Sequence, residues 1–400
     1  MAQLRTLEDL DLASLHGRRT FVRVDFNVPI GAGGEVGDTT RLEEALPTLR
    51  ELSAAGAVLL LASHHGRPKG KRDPKYSLRP VAAKLGELLG RPVAFAEDCV
   101  GEPAEAVARQ LAPGACALLE NLRFHAEEEA NDPAFAAQLA DLAEAYVDDA
   151  FGSAHRAHAS VVGVAERLSR RAAGRLMERE VAALGRLLGE PRRPFAALLG
   201  GAKIEGKIDT LENLLPRLDL LLVGGGMANT FLKAEGYDLA ASLVEEDRVA
   251  LAREILERAR GRGLEVLLPS DLVVTDDLAN PRRIETVPVS GVPAGTKAVD
   301  IGPATRERFA AALARAGTLF WNGPLGVFEK PPFDAGTRAF AQALAACAAY
   351  TVVGGGETVA AVRQAGVMER IGHVSTGGGA SLELLAGRTL PGVAVLEKDA

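Results

Sequence analysis

The sequence predicts an α/β fold built from two parallel-sheet halves joined by a helix. Short apolar runs alternate along the chain with stretches whose apolar residues fall three and four apart. That is the pattern of strands and helices in βα units, whose parallel sheets are covered on both faces. A length of 400 residues is too much for one core and fits roughly two or three domains. Polar or glycine-rich clusters close most of the apolar runs, and open α/β sheets bind ligands at the carboxyl ends of their strands.

In the first half the strand-like runs are Thr20–Val28, Ala57–Ala62, Val93–Ala96, Cys116–Glu120 and Ala145–Ala150. Helical spacing fills Thr39–Ala55, Leu78–Leu89, Pro103–Gln110 and Pro133–Ala143 between them. The second half repeats the plan, with strands expected near 195–199, 218–223, 264–268, 297–301, 318–321, 350–353 and 373–375. The halves show no self-similarity in sequence. Between them, Arg175–Leu188 places Met177, Val181, Leu184, Leu187 and Leu188 on one face, which makes an amphipathic connecting helix. The apolar end Leu390-Pro-Gly-Val-Ala-Val395 has to dock on another surface.

Composition excludes several classes. A net charge of −7 argues against a general nucleic-acid binder, whose affinity rests on excess Lys and Arg. Cys99, Cys116 and Cys347 are an odd number without metal-ligand spacing, and read as small buried hydrophobes in a reducing compartment. The start Met-Ala-Gln-Leu-Arg-Thr lacks an apolar signal region, and no apolar run is long enough to span a membrane. A cytoplasmic protein without a membrane or nucleic-acid partner is expected.

In the first half, polar residues gather where strands end. Asp25 and Asn27 close the first strand, and Arg41 falls in the loop after it. Ser63-His64-His65-Gly66-Arg67-Pro68 closes the second strand. Glu120-Asn121-Leu122-Arg123-Phe124-His125 and Asp149-Ala150-Phe151-Gly152 with His155-Arg156-Ala157-His158 follow later strands. Arg41, Arg67, Arg123 and Arg156 would form a basic basin in an acidic protein, suited to a small ligand with carboxylate and phosphate groups. Asp25 is open to two readings, as a ligand contact or as a partner for Arg41. His155 and His158, near Asp148 and Asp149, leave a metal site conceivable.

In the second half the signal is glycine. Gly200-Gly201, Gly224-Gly225-Gly226, Gly354-Gly355-Gly356 and Gly377-Gly378-Gly379 each follow an apolar run, and together suggest a phosphate-bearing ligand. Trp321-Asn322-Gly323-Pro324-Leu325-Gly326-Val327-Phe328-Glu329 offers an apolar slot ending in a carboxylate, suited to a base and ribose. Glu357 and Thr358 could meet Mg²⁺ or phosphates, or could cap a helix. A helix is expected to start near Ile204. Gly201 to Lys207 has Walker A spacing, but Ile208 stands where that loop needs Ser or Thr for Mg²⁺. The stretch is a damaged P-loop or something else with two lysines. A basic anion site in one half and a nucleotide-like site in the other suggest phosphoryl transfer across a cleft.

Arg23-Val-Asp-Phe-Asn-Val-Pro29, Ser63-His-x-Gly-Arg-Pro68, Glu120 to His125, Asp149 to His158, Gly200-Gly-Ala-Lys203, Gly224-Gly-Gly-Met-Ala228, Trp321 to Glu329 and Ser375-Thr-Gly-Gly-Gly-Ala-Ser381 come in one order along nearly the whole chain. In that order they resemble the phosphoglycerate kinase family. The resemblance implies two Rossmann-like parallel-sheet domains joined by a helical hinge, with a cleft between them that closes during the reaction. It implies a 3-phosphoglycerate-binding domain over 1–174, a hinge helix over 175–189, a nucleotide-binding domain over 190–387, and a tail, 388–400, returning to the first domain. The implied reaction is reversible, Mg²⁺-dependent transfer from 1,3-bisphosphoglycerate to ADP, giving 3-phosphoglycerate and ATP, in a monomer.

Carried over by position, the resemblance makes Asp25, Phe26, Asn27, Arg41, His64, His65, Gly66, Arg67, Arg123 and Arg156 the glycerate site. The nucleotide site would comprise Gly201, Lys203, Lys207, Gly225, Ala298, Asn322, Glu329, Gly355, Gly356, Glu357 and Thr358, with Glu357 toward Mg²⁺. Arg41, Lys203 and the amides of Gly378 and Gly379 would serve the group in transfer. Five positions depart from the family's pattern. His65 replaces an apolar residue, Gly206 and Glu357 each stand where Asp is common, Ala298 replaces Gly, and Asp148 replaces Asn.

Overall fold

The computed structural model describes residues 3–31 and 33–398. It divides into two compact units, Met1–Ala182 with Thr389–Ala400, and Ala183–Arg388. The division falls inside the connecting helix, Arg175–Leu188, which forms over the residues its apolar stripe predicts.

The first unit holds β1 (Arg19–Val24), β2 (Val58–Ala62), β3 (Ala94–Ala96), β4 (Cys116–Leu119), β5 (Ala145–Asp149) and β6 (Arg171–Ala173). They form one parallel sheet in the order β3-β4-β2-β1-β5-β6. The central strands are buried on both faces, as apolar runs such as Val-Leu-Leu-Leu-Ala require. Val22, Leu59, Leu61 and Val147 pack with Leu42, Leu49 and Leu85 from the helices Thr40–Ala54 and Arg79–Leu89. Arg41 lies in the first turn of the former helix, not in the loop expected for it. β6 is not expected from the sequence, because Arg171-Ala-Ala173 is too short and too polar to read as a strand; it takes its conformation from pairing with β5. The chain end docks here: the Gly392 amide donates to the Ala154 carbonyl at 2.9 Å, and the Arg5 amide donates to the Leu396 carbonyl at 2.8 Å.

In the second unit, β7 (Phe195–Leu199), β8 (Leu220–Val223) and β9 (Glu265–Leu267) come first. β10 (Asp271–Thr275), β11 (Ile284–Pro288) and β12 (Lys297–Ile301) follow, then β13 (Thr318–Asn322), β14 (Tyr350–Gly354) and β15 (His373–Val374). Six of them make a parallel sheet, β15-β14-β13-β7-β8-β9. The expectation that 297–301 joins it is corrected: β12 sits in a separate antiparallel sheet, β11-β10-β12. The connections from β10 to β11 and from β11 to β12 hold no α-helix, so each strand folds back on its neighbour instead of crossing over. The Asp276 carboxylate shapes the first turn by accepting the amides of Arg282 and Arg283 at 3.0 and 3.1 Å. β11 alternates exposed and half-buried positions, so it lacks the apolar run that marks a buried strand.

The helix expected from Ile204 begins at Ile208. Gly206 has φ of +80°, which a helix cannot accept, and the Ile204 amide donates to Glu245 at 2.5 Å. The stretch from Gly200 to Lys207 is therefore a loop held by side chains. No helix among the described residues is long and apolar enough to cross a membrane.

Candidate functional sites

In the first unit, β1, β2, β4 and β5 each end in a loop that contributes to a cationic cluster. The Asn27 carboxamide accepts the Gly66 amide at 3.0 Å, and the Phe26 amide donates to Ser63 Oγ at 2.8 Å, which ties the β1 and β2 loops together. Asn121 ties in the β4 loop: its oxygen accepts the His65 amide at 3.1 Å, and its nitrogen donates to the carbonyls of His65 and Tyr76. Arg123, buried, donates to the Gly66 carbonyl at 2.8 Å and lies 3.3 Å from Glu129. Asp25 pairs with Arg41 at 2.8 Å, so it holds that arginine at the mouth of the loops. Arg67 is exposed, next in chain to the Gly66 that Arg123 grips. Arg156 donates through Nε to the His155 ring at 3.1 Å. His65 packs edge-on against Tyr76, so its replacement of an apolar residue is absorbed by an aromatic contact.

Below the loops lies a buried polar layer to which the motifs give no role. Arg23, fully buried, donates to Ser160 Oγ at 2.9 Å and to Ser153 Oγ at 3.4 Å, and approaches His64 Nδ1 at 3.2 Å. Glu128 accepts both the hydroxyl and the amide of Ser160, at 2.6 and 2.9 Å. Asp148 accepts the Ala150 amide at 2.9 Å, and burial pushes its carboxyl up to about 7 against the pull of Arg23. Apart from its place at the head of the Arg23–Pro29 motif, the signal for Arg23 in the sequence is a charge inside the apolar run Phe21-Val22-Arg23-Val24.

The electrostatics favour an anionic ligand. Burial, then Arg23, Arg123 and Arg41, hold the His64 ring well below the ordinary histidine range. Burial, then Arg23, Arg123 and Arg156, bring His158 down to about 3. A neutral folded His158 contributes stability that is present above pH 6.5 and is lost as pH falls toward 3. Asp148 and Asp149, raised to about 7 and about 6, act in the opposite sense, losing their contribution as pH rises from about 4. In urea titrations between pH 6.5 and 4, His158→Gln should therefore lose less stability on acidification than the wild type. An equal loss in both proteins would contradict the assignment.

The conceivable metal site at His155 and His158 is not formed; the one grouping of at least three potential ligands among the described residues is Asp98, Cys99 and His125. There His125 bonds Asp98 at 2.7 Å and Arg72 stands 3.7 Å from the same carboxylate, so the charges are already paired. Cys99 and Cys116 are buried as expected, while Cys347 is half-buried. Asp149 accepts the amides of Leu176 and Met177 at 2.8 and 3.2 Å, and so caps the connecting helix.

In the second unit, a cavity of about 300 Å³ opens between the β7, β8 and β13 loops and the antiparallel sheet. Among the expected nucleotide residues, Gly201, Gly225, Ala298, Glu329 and Glu357 line it, together with apolar Leu243, Leu272, Leu278 and Val327. Lys203, Lys207, Asn322, Gly355, Gly356 and Thr358 lie outside that lining. Gly225 shows why glycine is needed: a Cβ there would fall 2.6–2.7 Å from Gly201 and Pro324 backbone atoms. The close approach at that glycine is loop to loop. Asn322 donates to the Gly354 carbonyl at 2.9 Å, and Thr358 accepts the Gly323 amide at 2.7 Å, so both buried side chains tie the end of β13 to β14 and to the helix after it.

Lys207 donates to the Gly200 carbonyl, and burial brings its amine down to about 8, with Glu357 pulling the other way. Lys203 is exposed on the same loop. The helix Ile208–Leu214 is fixed to Gly379–Leu385 by Thr210 donating to Leu382 and Asn213 to Leu385, at 3.0 and 2.7 Å. The lysine loop and the Gly378-Gly379 turn are thus held through adjoining helices.

The family model for phosphoglycerate kinase matches residues 7–388. The phosphoglycerate kinase of Desulforudis audaxviator is 57% identical over 98% of this chain and 99% of its own length, and that of Moorella thermoacetica 54% over 99% of each. The solved phosphoglycerate kinase of Coxiella burnetii superposes with a TM-score of 0.89 at 39% identity, and that of Pyrococcus horikoshii with 0.86 at 33%; both alignments cover 98% of each chain. The sheets, the site motifs and these matches agree: the chain belongs to the phosphoglycerate kinase family and is a phosphotransferase.

Proposed function

We propose that the first unit binds 3-phosphoglycerate or its acyl phosphate, that the second binds ADP or ATP, and that the phosphoryl group passes between them. The observation that carries the first assignment is the cationic cluster of Arg41, Arg123 and Arg156 around neutral His64 and His158, which matches a ligand with two anionic ends. The second rests on the cavity bounded by glycine loops and apolar side chains, with Glu329 and Glu357 at its edge. Asp25 orients Arg41, and Asn27, Phe26, His65 and Gly66 shape the loops around the glycerate, with Arg67 exposed beside them.

In the ATP-consuming direction the nucleophile is a carboxylate, with an ordinary pKa of about 4, so it is ionised at neutral pH. No general base is required. The work of the protein is to bring two anions into line and to neutralise charge on the group in transfer. Arg41 from the first unit and Lys203 from the second supply cations for this, and the amides at Gly378 and Gly379 supply donors. Lys207, already largely desolvated, faces the nucleotide phosphates. Closure of the two units on doubly bound substrate would complete the set and exclude water.

Mg²⁺ fits the residues present: Glu357 offers hard carboxylate oxygens at the cavity edge, and Mg²⁺ takes few protein ligands beside phosphate oxygens. Bound with the nucleotide through Glu357, it would neutralise phosphate charge. The protein acts as a cytoplasmic monomer on small molecules, without a nucleic-acid or membrane partner; the net charge of −7 supports the exclusion of nucleic acid.

A coupled assay tests this directly. ATP should form from ADP only when 1,3-bisphosphoglycerate is supplied, and only with Mg²⁺. ATP hydrolysis without 3-phosphoglycerate, at a rate comparable to transfer, would overturn the proposal in favour of a P-loop-like hydrolase.

A further inference from the structure

β12 runs along the cavity, and Asp300 is a charge inside its apolar end, Val299-Asp300-Ile301. The side chain is fully buried. One oxygen accepts the Gly336 amide at 2.7 Å and the other the Ile301 amide at 2.9 Å, while Arg306 stands 3.7 Å away. The carboxylate also fills the space beside two glycines: a Cβ on Gly326 would fall 2.4 Å from Oδ1, and one on Gly336 2.3 Å. Gly326 lies in the loop after β13, and Gly336 in the first turn of the helix Ala335–Ala346 that follows that loop. Between them lies Glu329, exposed at the cavity wall, and the loop start is pinned to β12 again by the Val327 amide donating to Val299 at 2.9 Å.

We propose that Asp300 is a positioning residue for the nucleotide, its buried carboxylate anchoring the helix start at Gly336 and packing against Gly326, on either side of Glu329, so that Glu329 is presented to the cavity. The inference rests on the reading of this cavity as the nucleotide site. Burying a carboxylate is costly unless its oxygens are bonded and a cation is near, and both conditions are met here. A cost of this kind at a cavity wall, spent on two backbone amides and two close glycines, is accounted for by loop placement. Burial, with Asp334 nearby, pushes the carboxyl up to about 7.

Asp300→Asn keeps the volume but turns an N–H₂ toward one of the two amides, so one anchored contact is lost. The KM for ADP is expected to rise about tenfold in the whole enzyme, while the KM for the glycerate substrate and kcat stay within about twofold, the factor of ten being a modest loss of one anchored contact. Gly326→Ala, which wedges the same contact from the other side, should raise the same KM. Glu329→Ala serves as the control. If Glu329→Ala leaves the ADP KM unchanged, the nucleotide reading of the cavity falls and the inference with it. If Glu329→Ala raises that KM but folded Asp300→Asn does not, the inference alone is overturned. Failure of both Asp300→Asn and Gly326→Ala to fold would also overturn it, because a fold-wide role would then explain the contact.

Discussion

Lys203→Ala is expected to lower kcat by roughly 10³–10⁵, the range associated with a cation that stabilises the charge on a phosphoryl group in transfer. Arg41→Ala is expected to fall in the same range. Neither change threatens the fold. Lys203 is exposed on its loop, and Arg41, about a third exposed, pairs with Asp25. Losses of this size would therefore report chemistry. Arg41→Lys should recover only part of the rate, because a lysine keeps the charge but not the planar fork that meets two oxygens at once. Stopped-flow or coupled steady-state rates, with circular dichroism as the folding control, check both variants. A folded variant within tenfold of wild type would remove that residue from the transfer step.

Arg23→Met should destabilise the first unit by about 3–5 kcal/mol, the cost of breaking a buried charge network by removing one partner. Methionine replaces most of the apolar stem, so the loss isolates the guanidinium. That group bonds Ser160 and Ser153 and offsets the charge of Glu128 and Asp148, both buried. Without it, two carboxylates already raised by burial are left uncompensated. Their folded pKa values lie above the unfolded ones, so the folded state holds the extra protons and gains stability as pH falls from about 7 toward 4. The deficit of Arg23→Met relative to wild type should accordingly shrink on acidification. Urea midpoints at pH 8 and pH 5 test this. A deficit below about 1 kcal/mol that does not change with pH would mean that Arg23 is not a counter-charge.

The motifs mark the loops and their order, because a ligand site in a parallel sheet is written at strand ends. They do not mark what holds the loops. Asn121, Ser63 and Asp300 act through backbone amides of segments far away in sequence, and nothing local to those residues reveals the partner. Arg23 and Asp300 share one weak signal, a charge inside an apolar strand. From sequence, the glycines read as making room for a ligand. At Gly225 the room is taken by the backbone of another loop, a distinction that requires knowing which loops meet. The helix expected from Ile204 starts only at Ile208, directly after the Walker-like spacing from Gly201 to Lys207, since Glu245 and the positive φ of Gly206 hold the segment before it as a loop.

The alternation of apolar runs and helical stripes was enough for the α/β class, the parallel sheets and the connecting helix Arg175–Leu188, because burial on two faces imposes a pattern readable in a window of a few residues. The residue types at strand ends were enough to point to anionic ligands. Strand order, the separate antiparallel sheet around β12, and the ionisation of His64, His158 and Asp300 came only from the folded chain. Each depends on which distant segments become neighbours, and on how far water is excluded between them. Neither hydrogen-bond pairing across a sheet nor the desolvation of a charge is a property of any local stretch of sequence.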